Sequence, residues 1–254
     1  MSRLSKKTYY DLDKQLKYMG YSQVKDFMDC EARALATIKG EYIRNKTSSL
    51  LIGSYVDAYF EGTLDTFKAN NPEVFTKQGD LKSEYRHAEY IINRISRDKI
   101  FMKYMSGRKQ VIKTRKLNDI PFKIKIDSYH KDKCIVDLKV VKDFEPVWVK
   151  GKGKINFIMA WGYDMQAAIY RAVEGNNLPY YIAAATKEKE PDFEVFQIPQ
   201  HIIDTAYELV MEKVDRYQKI KQGIIKPERC GHCDYCKMTK VLTAPISMEE
   251  LDYE

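Results

Sequence analysis

No stretch of the 254 residues is both long and apolar enough to span a bilayer. The opening Met-Ser-Arg-Leu-Ser-Lys-Lys is not followed by the apolar core of a leader segment. These absences predict a cytoplasmic protein with no membrane partner. Internal repeats and low-complexity segments are also missing, which argues against a solenoid or a disordered array. There is no glycine-rich phosphate loop, because Lys150-Gly-Lys-Gly-Lys154 lacks the Walker spacing and the terminal Ser or Thr. Of the four histidines, His87, His130 and His201 form no constellation with a Ser or Cys nucleophile. Five cysteines without an export signal speak against structural disulfides, leaving metal or cluster binding, or plain burial.

What the chain does have is ample material for a core, with 44% hydrophobic and 12% aromatic residues, and a moderate positive excess of +7. That charge favours a polyanionic partner without requiring one. Tyr21 to Leu35 reads as a single helix capped by Ser22, with Val24, Phe27, Met28, Ala32 and Leu35 at helical spacing. A second helix starts at Thr47-Ser48-Ser49 and runs to about Gly62, with Gly53 marking a close approach of backbone or ligand. After a turn-rich connection over 68–79, a third helix spans about Lys82 to Met105. Three strands are predicted next, over 110–117, 120–129 and 134–141. A mixed loop from Asp143 to Gly153 leads to a helix over about 155–174, two strands at 179–186 and 193–198, and a last helix from Gln200 to Lys221. This order predicts an α/β or α+β fold with a central mixed sheet flanked by helices and a cysteine-rich C-terminal tail. The chain divides into a helical part (1–106), a core (107–222) and a tail (223–254), together one cooperative domain.

The chemistry concentrates in two of the strands. In Ile120-Pro-Phe-Lys-Ile-Lys-Ile-Asp127 and Ile135-Val-Asp-Leu-Lys-Val140 the apolar residues fall on even numbers. An odd-length loop between them would put all of those residues on one face and Lys125, Asp127, Asp137 and Lys139 on the other. Two carboxylates facing each other across a ladder should destabilise it by roughly 0.2–1 kcal/mol. A divalent cation is the natural reason to keep them, and oxygen ligands suit Mg²⁺ or Mn²⁺. The competing explanation is a solvated polar hairpin face.

One connection later comes Tyr163-Asp-Met-Gln166-Ala-Ala-Ile-Tyr170, with Gln166 and Tyr170 on one helical face. Acid, acid-x-lysine and this glutamine helix together resemble the PD-(D/E)XK nuclease superfamily, in its RecE-like and RecB-like exonuclease branches of phages and prophages. The resemblance implies a restriction-endonuclease-like core, with Asp127 and Asp137 as metal ligands and the Leu138 carbonyl as a further one. Lys139 would orient or activate the attacking water, and Gln166 and Tyr170 would lie beside the metal and contact DNA. The chain departs from the RecB-like Gly-Thr-x-x-His pattern, since Gly53-Ser-Tyr-Val-Asp57 ends in aspartate. Asp57 is then a candidate third ligand and Glu61 a weaker one. Lys150, Lys152 and Lys154 form a basic loop that could touch phosphates, and Trp148, Trp161 and Tyr163 could stack on unpaired bases.

Cys230-x-x-Cys233-x-x-Cys236 needs a fourth ligand to complete a zinc or iron-sulfur site. Cys30 resembles the lone N-terminal cysteine of iron-sulfur RecB-like nucleases, which implies a 4Fe–4S staple. The last spacing is narrower than usual in that group, so zinc with His232 as the fourth ligand, or no metal at all, stay open. The expected function is a metal-dependent exonuclease that resects double-stranded DNA ends, 5′ to 3′ by resemblance. It would act as a homo-oligomeric ring with a RecT-like single-strand annealing protein. The alternatives are a RecB-like iron-sulfur endo- or exonuclease of DNA repair or CRISPR adaptation, and a non-catalytic DNA-end-binding protein.

Overall fold

The computed structural model describes residues 4–44, 47–245 and 247–250. Residues 251–254, part of the tail segment expected to be loosely held, lie outside them. The helices α1 (Leu12–Lys17), α2 (Tyr21–Asp29), α3 (Glu31–Lys39), α4 (Ser48–Glu61), α5 (Leu64–Asn70), α6 (Ser83–Ser96) and α7 (Lys99–Met105) precede the first strands. These are β1 (Arg108–Leu117), β2 (Ile120–His130) and β3 (Cys134–Val141), followed by the short β4 (Val147–Val149) and β5 (Gly153–Ile155). Then come α8 (Phe157–Ala160), α9 (Tyr163–Glu174), β6 (Tyr180–Thr186), β7 (Phe193–Gln197), α10 (Gln200–Lys221) and α11 (Asp234–Met238).

Five strands make one mixed sheet in the order β1-β2-β3-β6-β7, while β4 and β5 pair only with each other. The β3–β6 contact is parallel and the other pairs are antiparallel. Helices cover both faces, so each face has its own apolar core. One holds Val24, Phe27, Ile124, Ile169, Tyr180 and Val214, contributed by α2, β2, α9, β6 and α10. The other holds Val56, Ile91, Phe101, Val136 and Ala185, contributed by α4, α6, α7, β3 and β6. The expected α/β fold with its flanked mixed sheet is the observed one.

Three expected helices are broken, each by an identifiable residue. The helix over 21–35 is two, because Cys30 adopts extended backbone (φ −166°, ψ 111°) between α2 and α3. The helix over 82–105 restarts at Asp98, whose carboxylate caps α7 by accepting from Phe101 N–H at 2.7 Å. The helix over 155–174 begins with the second strand of a hairpin and is interrupted at Gly162, in the left-handed region at φ 75°. A Cβ there would lie 2.7 Å from the Met165 methyl, so glycine meets both the torsion and the space. Thr47 caps α4 as its sequence suggests, accepting from Leu50 N–H. No backbone among the described residues approaches Gly53 closely, since a Cβ would meet nothing within 4 Å.

The facing of the even-numbered apolar residues also needs correction. Ile120, Phe122, Ile124 and Ile126 of β2 enter the first core, but so does Tyr129. Strict alternation would have chosen Ser128, which turns the other way and donates to the Tyr104 carbonyl of α7. Beside the slip, Gln110 of β1 sits at φ 55°, and the β1–β2 register passes from Lys109↔Ser128 to Val111↔Ile126 without pairing it. The pleat therefore changes phase at Asp127. Even-numbered Val136 and Leu138 of β3 consequently pack in the second core, opposite Ile124 and Ile126.

Candidate active site

The phase change gives Asp127 a position that a regular strand would not. The β2–β3 ladder ends at Ser128↔Val136, and continuing its register sets Asp127 against Asp137. Instead of extending the ladder, the Asp127 carboxylate accepts from Leu138 N–H at 3.1 Å and from the Gln110 amide at 3.1 Å. Asp137 of β3 is 3% exposed and accepts from Gln166 Nε2 at 2.5 Å. Its second oxygen is ion-paired with the Lys139 ammonium. Tyr170, one turn beyond Gln166, donates to the Lys125 carbonyl at 3.1 Å. Both polar ends of the glutamine helix are thus engaged within the protein, one on an acid and the other on the strand beneath it.

These groups open into a cleft of about 550 Å³ lined by Asp57, Glu61, Lys123, Lys125, Asp127, Asp137, Leu138, Lys139, Gln166 and Tyr170. Burial pushes Asp137 up to about 7 despite the pull of Lys139, with Asp127 adding to the rise. Burial, then the charge of Asp127, pushes Asp57 well above the usual carboxylate range. Desolvation would lower Lys139, but Asp137 and Asp127 outweigh it and hold the ammonium charged. The burial and mutual repulsion that raise Asp57 and Asp137 are what a divalent cation among the three carboxylates would relieve. The all-oxygen donor set lining one cleft, three aspartates beside Leu138, fits Mg²⁺ or Mn²⁺.

Gln110, Tyr21 and Lys25 were not among the expected site residues, and Tyr163 was expected only as a stacking platform. Gln110 reaches Asp127 from β1, and its only outward sign is its unusual backbone torsion. The Tyr163 ring lies 5.1 Å from the Lys139 ammonium. Tyr21 and Lys25 of α2 both donate to the Trp161 carbonyl, at 3.1 and 2.8 Å. They join the N-terminal helices to the start of α9. Lys150, Lys152 and Lys154, expected in an irregular loop, belong to the β4–β5 hairpin and its turn.

The second group lies in the tail. Cys30, Cys230, Cys233 and Cys236 bring their four sulfurs within 4.8 Å of one another. Among the described residues they are the only group compact enough to hold a metal ion in their present arrangement; the three aspartates line their cleft more loosely. Cys30 sits 3.6 Å from Cys236, which is 3.9 Å from Cys230. The fourth place thus goes to Cys30 and not to His232, whose Nδ1 is bonded to the Cys230 carbonyl at 2.9 Å. Arg216 reinforces the junction by pairing with Glu31 and Glu228. Cys134 stands apart, partly buried against the second core.

The chain as a whole is similar to known proteins. Residues 20–239 match a family model described as a PDDEXK-like domain of unknown function (DUF3799). The crystal structure of a "putative exonuclease" from Eubacterium rectale is similar over 100% of this chain and 99% of its own, at 41% identity and a TM-score of 0.95. No curated protein matches the chain.

Proposed function

The chain belongs to the PDDEXK-like family, and on that premise we propose that this nuclease is a divalent-metal-dependent exonuclease resecting double-stranded DNA ends. The observation that carries the reading is the cleft in which Asp57, Asp127, Asp137 and Lys139 converge, on a chain similar from end to end to a protein described as an exonuclease. Asp57, Asp127 and Asp137 would hold the cation, with the Leu138 carbonyl as a further donor. When bound, the cation would supply positive charge to the phosphoryl oxygens and acidity to the attacking water.

The protein's own groups do the rest. Gln166 holds Asp137 in place from the side opposite its lysine. Lys139 is kept charged by its two acids and lies where it can offset charge on the scissile phosphate. Lys123 and Lys125 extend the positive lining of the cleft along β2, and Lys125 lies 5.2 Å from the Tyr10 ring. Gln166 and Tyr170 border the same cleft, within reach of a strand lying in it.

Digestion from 5′ to 3′, handing the 3′ overhang to a RecT-like annealing protein in recombination, and assembly into a ring around DNA complete the proposal by family resemblance. The tail would be a metal staple. Four thiolates suit a 4Fe–4S cluster or a single zinc ion. The cysteine order resembles the cluster-bearing nucleases, whereas the 3.6 and 3.9 Å sulfur spacings are near the roughly 3.8 Å edges of a zinc tetrahedron with 2.3 Å bonds. Elemental analysis of anaerobically purified protein separates them: about four irons per chain with broad visible absorbance for the cluster, one zinc for the ion.

The deciding experiment incubates labelled linear duplex and covalently closed circular DNA with the protein, with and without Mg²⁺. Cation-dependent loss of the linear form with the circle intact is the expected result. Cleavage of the circle would make the protein an endonuclease. Salt-sensitive binding without product would make it an end-binding protein. Asp137→Ala should abolish cleavage while leaving the circular dichroism spectrum unchanged; near-normal activity would refute the site.

A further inference from the structure

The β4–β5 hairpin is an unusual appendage. It pairs Val147 with Ile155, Trp148 with Lys154 and Val149 with Gly153, and it joins no other strand. Val147, Val149 and Ile155 are half-buried on one side, while Trp148 is 65% exposed beside an exposed Lys154. The nine residues carry three lysines and no acid. A two-stranded ribbon is marginal on its own, and this one spends its outer face on an indole in water and clustered like charges. Both features are unfavourable in the isolated protein, and both suit a polyanion that has flat aromatic faces.

The hairpin is also firmly based and close to the cleft. It is flanked by Phe144 and Phe157, which stack at 5.3 Å and pack on Phe196 of β7. Lys152 acts on the charge of Asp164, the neighbour of the Tyr163 whose ring meets Lys139. Trp161, whose carbonyl is fastened by Tyr21 and Lys25, closes the segment between the hairpin and α9.

We propose that this hairpin engages the end of the DNA duplex, with Trp148 stacking on the base freed from the terminal pair and Lys152 and Lys154 meeting the adjoining phosphates. The inference rests on the nuclease reading above and adds a strand-parting role to it. An exonuclease acting on a duplex end must bring one strand of it to the acids of the cleft. Stacking on the indole replaces the base stack lost when the last pair opens, and it works on any sequence because every base has such a face.

The test compares Trp148→Ala with wild type on a blunt duplex and on a duplex whose end carries several unpaired nucleotides. Trp148→Ala should lose about 5- to 150-fold in rate on the blunt end, the range that one aromatic stack supports. On the pre-opened end it should stay within about twofold of wild type. A separate readout uses Trp161→Phe, which leaves Trp148 as the sole tryptophan. Its fluorescence should be quenched on adding duplex with Ca²⁺ in place of Mg²⁺. Equal losses on both substrates, no loss on either, or unquenched fluorescence would overturn the strand-parting role while leaving the nuclease intact. A wild type that cleaves neither substrate under any divalent cation would remove the nuclease reading, and the hairpin's role with it.

Discussion

Gln166 donates its side-chain amide to Asp137 at 2.5 Å, so helix α9 grips the acid on the central strand directly. Gln166→Leu removes the amide donor to that buried carboxylate and leaves it with Lys139 alone. Residues that orient a metal ligand usually contribute about 10- to 100-fold, and a loss of that size is expected here, with a higher Mg²⁺ requirement. Initial rates across a Mg²⁺ titration check it. Unchanged rates and midpoint would mean that the amide only fills space.

The proton on Asp137 gives a second expectation. Burial lifts its carboxyl to about 7, so it is largely protonated below that pH and ionised above it. A cation can bind only the ionised form. Apparent Mn²⁺ affinity should therefore rise about tenfold per pH unit up to about 7 and flatten beyond. Calorimetric titrations at pH 6, 7 and 8 would show this, and a flat profile would contradict it. Lys139→Met removes the charge that opposes the rise and should move the bend to higher pH.

Stability has its own titration in Lys221. It is 8% exposed, donates to the Tyr18 carbonyl and the Gln23 side chain, and is lowered by burial, then by Lys123, to about 7. Between pH 7 and the unfolded value near 10.4 the unfolded chain binds more protons than the folded one, so stability rises with pH in that window. Below about 7 the full cost of charging the buried amine is present. Each unit of the shift is worth about 1.4 kcal/mol. Lys221→Met has no such group, and its advantage over wild type should shrink as pH goes from 7 to 10. Parallel urea melts would reveal a gap that stays constant if the reasoning is wrong.

The cysteine tail should behave as a fastening. Cys236→Ser deletes a thiol that is 3% exposed and lies between Cys30 and Cys230. Loss of bound metal and release of a fragment cut near residues 226–230 by limited proteolysis are expected. Structural metal sites contribute on the order of 10 kcal/mol in small domains, and a lowered melting temperature should accompany the release. Full metal content in the variant would show that the fourth ligand lies elsewhere.

Much of the site was legible because its signals are local. Alternation in β2 and β3 located both acids and the lysine, the four-residue step in α9 paired Gln166 with Tyr170, and the dense cysteine triplet marked the tail. What was not legible depends on the third dimension. The change of pleat phase at Asp127 goes with its bond to Gln110 on another strand, 17 positions earlier, and no residue in β2 announces it. Cys30 sits among good helix formers, and its extended backbone makes sense only beside thiols some 200 residues away. The hairpin was readable in principle, since Val-Trp-Val and Gly-Lys-Ile flank a lysine-glycine turn, but two strands of three residues are too short for periodicity to register.

Cys30 must wait for its partners. The chain emerges from the ribosome with helix α2 and its Tyr21 and Lys25 early, while the three thiols that complete the centre come at 230, 233 and 236. The sulfur group cannot close until residue 236 has been made. The helix that braces the start of α9 is fastened to the cysteine loop only after the whole sheet between them has been made, so a late segment locks an early helix.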